Sequence, residues 1–250
     1  MKNSLPLFAA ALVFSSLSVV NADDAPPKLA PQFEKIYERL SERPATPEPS
    51  EMLLNTDPEP DLSEGFVSLY NGENLDGWVQ RGADNIYEAE GDVIVGTYVP
   101  PNGNSYLCTV RDDFGDFIFT VEFKWLLQGN SGIQFRSRVV GKGGVQGPQV
   151  ELEEAARKKG WTGGVFGQGI GGFFYPLWLE AHEEARNAVK FDDWNRVTIH
   201  AEGDTVKTWV NGVPCAHFKN DEYLQGYFAL QVHKADEGLI HFRNIKVKEL

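Results

Sequence analysis

Three stretches of this chain put polar side chains at every second position. In Gly132-Ile-Gln-Phe-Arg-Ser-Arg-Val139, Ile133 and Phe135 fall on one face of an extended chain, and Gln134, Arg136 and Arg138 on the other. In Gln149-Val-Glu-Leu-Glu153, Val150 and Leu152 oppose Gln149, Glu151 and Glu153. In Leu230-Gln-Val-His233, Leu230 and Val232 oppose Gln231 and His233. Arg, Glu, Gln and His are the donors and acceptors that hold hydroxyl groups, and Glu and His also transfer protons. Each stretch alone reads equally as the solvent face of a sheet. Gathered in one concave cleft, the three would make a hydroxyl-binding site with a base at hand, which requires the strands to be neighbours.

Glycines and aromatic rings surround this set. The segment Gly160-Trp-Thr-Gly-Gly-Val-Phe-Gly-Gln-Gly-Ile-Gly-Gly-Phe-Phe-Tyr-Pro-Leu-Trp178 is too glycine-rich for a plain core strand. Trp161, Tyr175 and Trp178 could offer flat apolar faces to sugar rings, or plug the edge of a sandwich. Its glycines are not followed by Lys-Ser/Thr, so they do not make a phosphate-binding loop. The chain has no Gly-x-Ser-x-Gly elbow and no His-Glu-x-x-His. His182-Glu183-Glu184 reads as a solvated helix face, and His200, His217 and His241 as structural residues of strands. Glu151-Leu-Glu-Glu154 approaches the Glu-x-Asp-x-(x)-Glu signature of laminarinase-type glycosidases. A retaining pair needs carboxyls about 5–5.5 Å apart, which Glu151 and Glu153 on one face could meet. Ala155 and Ala156 stand where the third acid belongs, so this is the minor alternative.

The elements that would carry these groups are short strands divided by turns. Periodicity and β-branched or aromatic content predict strands at 66–70, 86–89, 93–96, 106–109, 117–127, 132–139, 149–153, 196–202, 205–210, 213–218, 226–233 and 239–250. Glu202-Gly203-Asp204 and Asn211-Gly212 are hairpin signals. Local helices are expected at 151–159 and 179–187. So many strands in one domain over 61–250 predict an all-β jelly-roll sandwich of two antiparallel sheets.

Ahead of it, residues 23–60 hold eight prolines and nine acids against four bases. That composition predicts a linker, largely disordered, with one short amphipathic helix at 31–40. Residues 1–22 read as a signal peptide. Lys2 precedes an apolar run over 5–20, and Val20-Asn21-Ala22 offers small residues for cleavage. The expected location is therefore periplasmic or extracellular, with no transmembrane segment after cleavage. A net charge of −13 argues against nucleic acid and anionic membrane as partners. Cys108 and Cys215 could form a disulfide in an exported protein or remain two buried thiols.

An ordered set of motifs carries a resemblance. It opens with Phe66-Val-Ser-Leu-Tyr-Asn-Gly-Glu-Asn-Leu-Asp-Gly-Trp78 and continues through Asn130-Ser-Gly-Ile-Gln-Phe-Arg136, Gly147-Pro-Gln-Val-Glu151, Thr162-Gly-Gly-Val-Phe-Gly167, Gly226-Tyr-Phe-Ala-Leu-Gln-Val-His233 and Phe242-Arg-Asn-Ile245. Over roughly 64–250 the chain resembles the 3-keto-disaccharide hydrolase family, also described as 3-keto-glucoside 1,2-lyase/2-hydroxyglucal hydratase-like. The resemblance implies a concanavalin A-like jelly roll whose ligand is a carbohydrate, namely a 3-keto-glycoside. It implies that Asn130, Arg136, Gln149, Glu151, Gln231 and His233 line the site, with His233 or Glu151 as base and Arg136 at an enolate oxygen. A divalent metal held by the same carboxylate and imidazole could take that stabilising role instead. The competing reading is a carbohydrate-binding jelly roll without catalysis, since the fold hosts both.

Overall fold

The computed structural model describes residues 26–127, 129–141, 143–153, 160–190 and 192–250. The signal-peptide reading and most of the helix expected at 151–159 lie outside these residues. In chain order the strands are β1 (Val67–Ser68), β2 (Trp78–Gly82), β3 (Ile86–Glu90), β4 (Val93–Thr97), β5 (Ser105–Thr109), β6 (Phe117–Leu127), β7 (Asn130–Val140), β8 (Gly144–Glu153), β9 (Val165–Gln168), β10 (Phe173–Tyr175), β11 (Asn195–Glu202), β12 (Thr205–Val210), β13 (Val213–Lys219), β14 (Tyr227–Val232) and β15 (Leu239–Glu249). Two short helices, α1 (Glu34–Leu40) and α2 (Glu183–Arg186), each continue a 3₁₀ turn.

The strands form two antiparallel sheets. One has the order β13-β12-β11-β6-β15-β4-β3, with β1 added on β15, and the other β10-β9-β8-β7-β14-β5-β2. Alternation along β6, β11, β14 and β15 supplies the core between them, with Phe119, Phe123, Ile199, Phe228, Leu230 and Phe242 all buried. Phe228 of one sheet packs on Phe114, Phe117 and Phe119, with ring centroids 4.7, 4.7 and 4.3 Å away. Burying such a side chain is worth about 1.5–3 kcal/mol. Asn211 and Gly212 both take positive φ, 52° and 88°, which closes the β12–β13 hairpin in the type I′ geometry that matches strand twist.

One irregularity in β7 decides what the sheet presents. The register with β8 slips between Gln134 and Arg138, and Arg136 has φ 45°. A bulge adds one residue to the strand and so flips every later side chain to the other face. Gly226 makes room for it: a Cβ there would collide with the Ser137 carbonyl.

The Pro/acid-rich segment is not a free linker. Residues 28–30 pair beside 178–180, with Ala30 N donating to the Trp178 carbonyl at 2.8 Å and Glu180 N to the Lys28 carbonyl at 2.9 Å. Phe33 is buried with Ala30, Phe173 and Trp178. Further along, Asn55 donates to the Thr208 carbonyl at 3.0 Å, the Trp209 indole donates to the Asp57 carbonyl at 3.0 Å, and Asp57 pairs with Lys207. Glu59 accepts from Thr198 at 2.6 Å and pairs with Arg196. Composition foretold disorder because the segment has few apolar residues. Of those few, Phe33, Ile36, Tyr37, Leu40 and Met52 pack against the domain, and two of its acids, Asp57 and Glu59, meet strand cations. We call residues 26–60 the strap.

Cys108 of β5 and Cys215 of β13 lie in different sheets as free, buried thiols. Burial pushes each up to about 12, so both stay protonated.

Candidate functional site

The order β8-β7-β14-β5-β2 makes the three polar stretches neighbours. Gln149 pairs with Gln134, Glu151 with Gly132 and Glu153 with Asn130 across β8 and β7. Ala229 of β14 pairs with Gln134, and Gln231 with Tyr106 of β5, which in turn pairs with Arg81 of β2. Their core-facing neighbours Ile133, Val150, Leu152, Leu107 and Leu230 point the other way, into the sandwich. The outer face of this sheet therefore carries a polar field five strands wide.

Within it, hydrogen bonds run in one direction towards Glu151. Ser137 Oγ donates to Gln134 Oε1 at 2.8 Å, Gln134 Nε2 to Gln149 Oε1 at 2.5 Å, and Gln149 Nε2 to Glu151 Oε1 at 2.6 Å. Gly132 permits this, because a Cβ at that position would collide with the Gln149 carboxamide. Burial pushes the Glu151 carboxyl up to about 7. The Gln149 hydrogen bond opposes that shift, the nearby Glu153 charge reinforces it, and a hydrogen bond from Asn130 opposes it. Asn130 Oδ1 and Gln231 Oε1 are buried acceptors without a donor among the described residues. Gln231 Nε2 donates to the Tyr106 hydroxyl at 3.3 Å, and burial raises the Tyr106 pKa, which keeps that phenol a donor.

The remaining expectations divide. His233 directly follows β14 and is half-buried, with Nδ1 2.6 Å from the Lys234 carbonyl. A carbonyl only accepts, so the lone pair of the neutral ring sits on Nε2. Arg136 is not in the field. Beyond the bulge its guanidinium is buried at the end of the sandwich, donating to the Gly115 carbonyl at 2.9 Å, the Gly203 carbonyl at 2.8 Å and Asp116 at 2.9 Å. Arg138 left the face by the same flip. It pairs with Glu222 and lies over the Tyr223 ring. Trp178 is buried beneath the strap, edge-on to Tyr37 and Phe173, and offers no face to a ligand. Trp161 is half-buried, and its backbone N–H donates to Glu153 Oε2 at 3.2 Å. His182 is no solvated helix residue. It is buried, receives the Leu179 N–H on Nδ1 and lies 3.0 Å from the Tyr175 hydroxyl.

Sequence reasoning missed Tyr106, Ser137 and Arg81. Tyr106 alternates correctly in its strand but is paired there with Cys108, which carries no polar signal. Ser137 reaches the face only through the bulge, and β2 follows a glycine turn that hides its period. Among the described residues no three His, Cys, Asp or Glu side chains converge as metal ligands.

A family model described as the 3-keto-alpha-glucoside-1,2-lyase-like domain matches residues 65–248. The chain belongs to that family. Two candidate glycosyl hydrolases of Parabacteroides distasonis share the fold of this lyase-like domain. One is 20% identical with a TM-score of 0.55 over 78% of this chain and 100% of its own. The other is 16% identical with a TM-score of 0.51 over 75% and 100%. A Bacillus subtilis protein with a galectin-like fold is 11% identical, with a TM-score of 0.50 over 70% and 90%. No curated protein matches the sequence. The lyase-like domain is thus a carbohydrate-related jelly roll, and the strap lies outside its matched residues.

Proposed function

We propose that this protein is exported and cleaves 3-keto-glycosides by elimination and hydration, with Glu151 as the base. A ketone at C3 acidifies the proton on C2. Glu151 removes that proton, the C1–O bond to the leaving group breaks, and the leaving oxygen takes the proton that Glu151 now carries, which returns the carboxylate. Water then adds across the C1–C2 double bond, placing hydroxyl on C1 and hydrogen on C2. The observation that carries this reading is the buried Glu151, held by Gln149 and Asn130 and titrating at about 7 on a polar sheet face. A base of that pKa is half ionised at neutral pH and matched to proton abstraction. The Tyr106 phenol replaces Arg136 as the donor for the developing enolate oxygen. Gln134, Gln231, Asn130 and Glu153 supply hydroxyl contacts, and the His233 Nε2 lone pair accepts from a further hydroxyl.

The amide-rich field favours a second reading, carbohydrate binding without turnover, because amides hold hydroxyls and transfer no protons. Product analysis on a panel of 3-keto-glycosides separates the two, run with divalent metal supplied and with chelator. Sugar release by wild type, lost in Glu151→Gln, supports the enzyme. Binding without release supports the module.

A further inference from the structure

The strap builds a cleft that the polar field does not explain. The cleft encloses about 1250 Å³. It is lined by Gln32, Ile36 and Arg39 of the strap, by Trp161 and Glu153, and by Glu183 and Asn187 at the α2 turn. Glu153 belongs to both places. It ends the polar row of β8 and lines the cleft, so the two spaces meet at its carboxylate.

This wall is built to keep its shape. The 28–30 and 178–180 backbones are tied by the bonds at 2.8 and 2.9 Å given above, which make an antiparallel bridge between Leu29 and Leu179. The Arg186 guanidinium lies 5.2 Å over the Phe33 ring and donates to the carbonyls of Leu177 and Leu179 at 2.9 and 2.6 Å. Trp161 leans edge-on against Phe173 at 5.9 Å, and Phe173 against the buried Trp178 at 5.2 Å. The strap residues that face the cleft have the opposite character. Gln32 and Arg39 are exposed and Ile36 is half-buried.

We infer that the strap completes a binding subsite for a second sugar residue, the part of the glycoside beyond the ring that reacts at Glu151. The inference rests on the carbohydrate reading above. An aromatic ring and an aliphatic side chain supply apolar faces, and amides, acids and a guanidinium supply the edges, which is the pairing a pyranose presents. Among the described residues the lining sets three carboxylates against two guanidiniums, one of them already bound to carbonyls, which gives no excess of positive charge for an anionic ligand. The ligand is therefore a neutral sugar. Because residues 26–60 precede the family domain, the subsite belongs to this chain's own extension.

The test compares kcat/KM for a 3-keto-disaccharide with that for methyl 3-keto-glucoside, in wild type and in Gln32→Ala, Arg39→Ala and Ile36→Trp, each first shown to melt as wild type does. The expected result is a fall of about 10-fold in that ratio, the loss of one or two good polar contacts or their steric blockade. A ratio equal to wild type's in all three variants overturns the subsite while leaving the chemistry standing. Wild type inactive on both substrates overturns the catalytic reading first. Titration calorimetry with the unoxidised disaccharide then decides the subsite alone. Binding weakened in the variants keeps it, and binding that is absent or unaltered in them removes it.

Discussion

Glu151 sits on the outer face of a sheet and yet is 4% exposed, and that burial sets its proton affinity. As the base it must be ionised, so kcat/KM should climb with unit slope below pH 7 and level above it. A pH–rate profile flat from 5 to 8 would contradict the assignment. Glu151→Gln should cost on the order of 10²–10⁴ in rate, the usual worth of a positioned base. Gln149→Leu keeps the shape but removes the donor that holds the ionised form. The limb should then move to higher pH, readable in the same profile. The sequence made Glu151 and its partners visible because alternation in 130–134 and 149–153 is unbroken. It could not say that Glu151 would be desolvated, since that depends on what packs over the face.

At the scale of the element, the bulge in β7 separates what alternation could read from what it could not. Up to Gln134 the expected faces hold. After it, Arg136 and Arg138 stand on the side opposite to expectation and Ser137 takes their place. The cause lies far away in sequence, in the missing side chain of Gly226 and in the carbonyls of Gly115 and Gly203 that capture the guanidinium. Arg136 is therefore structural. Arg136→Met should lower stability by about 3 kcal/mol, because it leaves buried carbonyls without donors, while the pH limb of Glu151 stays near 7. Denaturant melts and a pH–rate profile on one preparation check both halves. The glycine-rich stretch shows the reverse. Its composition spoke against strands, but β9 and β10 form there because each needs only three or four residues against an existing edge.

Across the whole molecule, two antiparallel sheets were legible from the density of short strands, whereas the strap was not. Composition reports how little apolar surface a segment owns, not whether the domain offers it partners. The strap's closure meets a buried histidine. His182 Nδ1 receives the Leu179 N–H, so Nε2 carries the proton and faces the Tyr175 hydroxyl, which donates to the Leu53 carbonyl of the strap. Burial, and secondarily Arg186, lowers the His182 pKa from 6.5 to about 4. The unfolded chain thus takes up a proton that the folded site refuses. Stability from this group is full above pH 6.5 and falls by about 3 kcal/mol as pH drops to 4. Melts of wild type against His182→Phe across that range should show the extra slope in wild type alone, and parallel curves would refute it. The central claim is proton removal from C2 by Glu151. Its most direct test is cleavage of a 3-keto-glucoside in D₂O, followed by NMR of the released sugar. The account predicts one deuterium at C2 with wild type and no release with Glu151→Gln. Release without deuterium at C2, or release that survives in the variant, would contradict it.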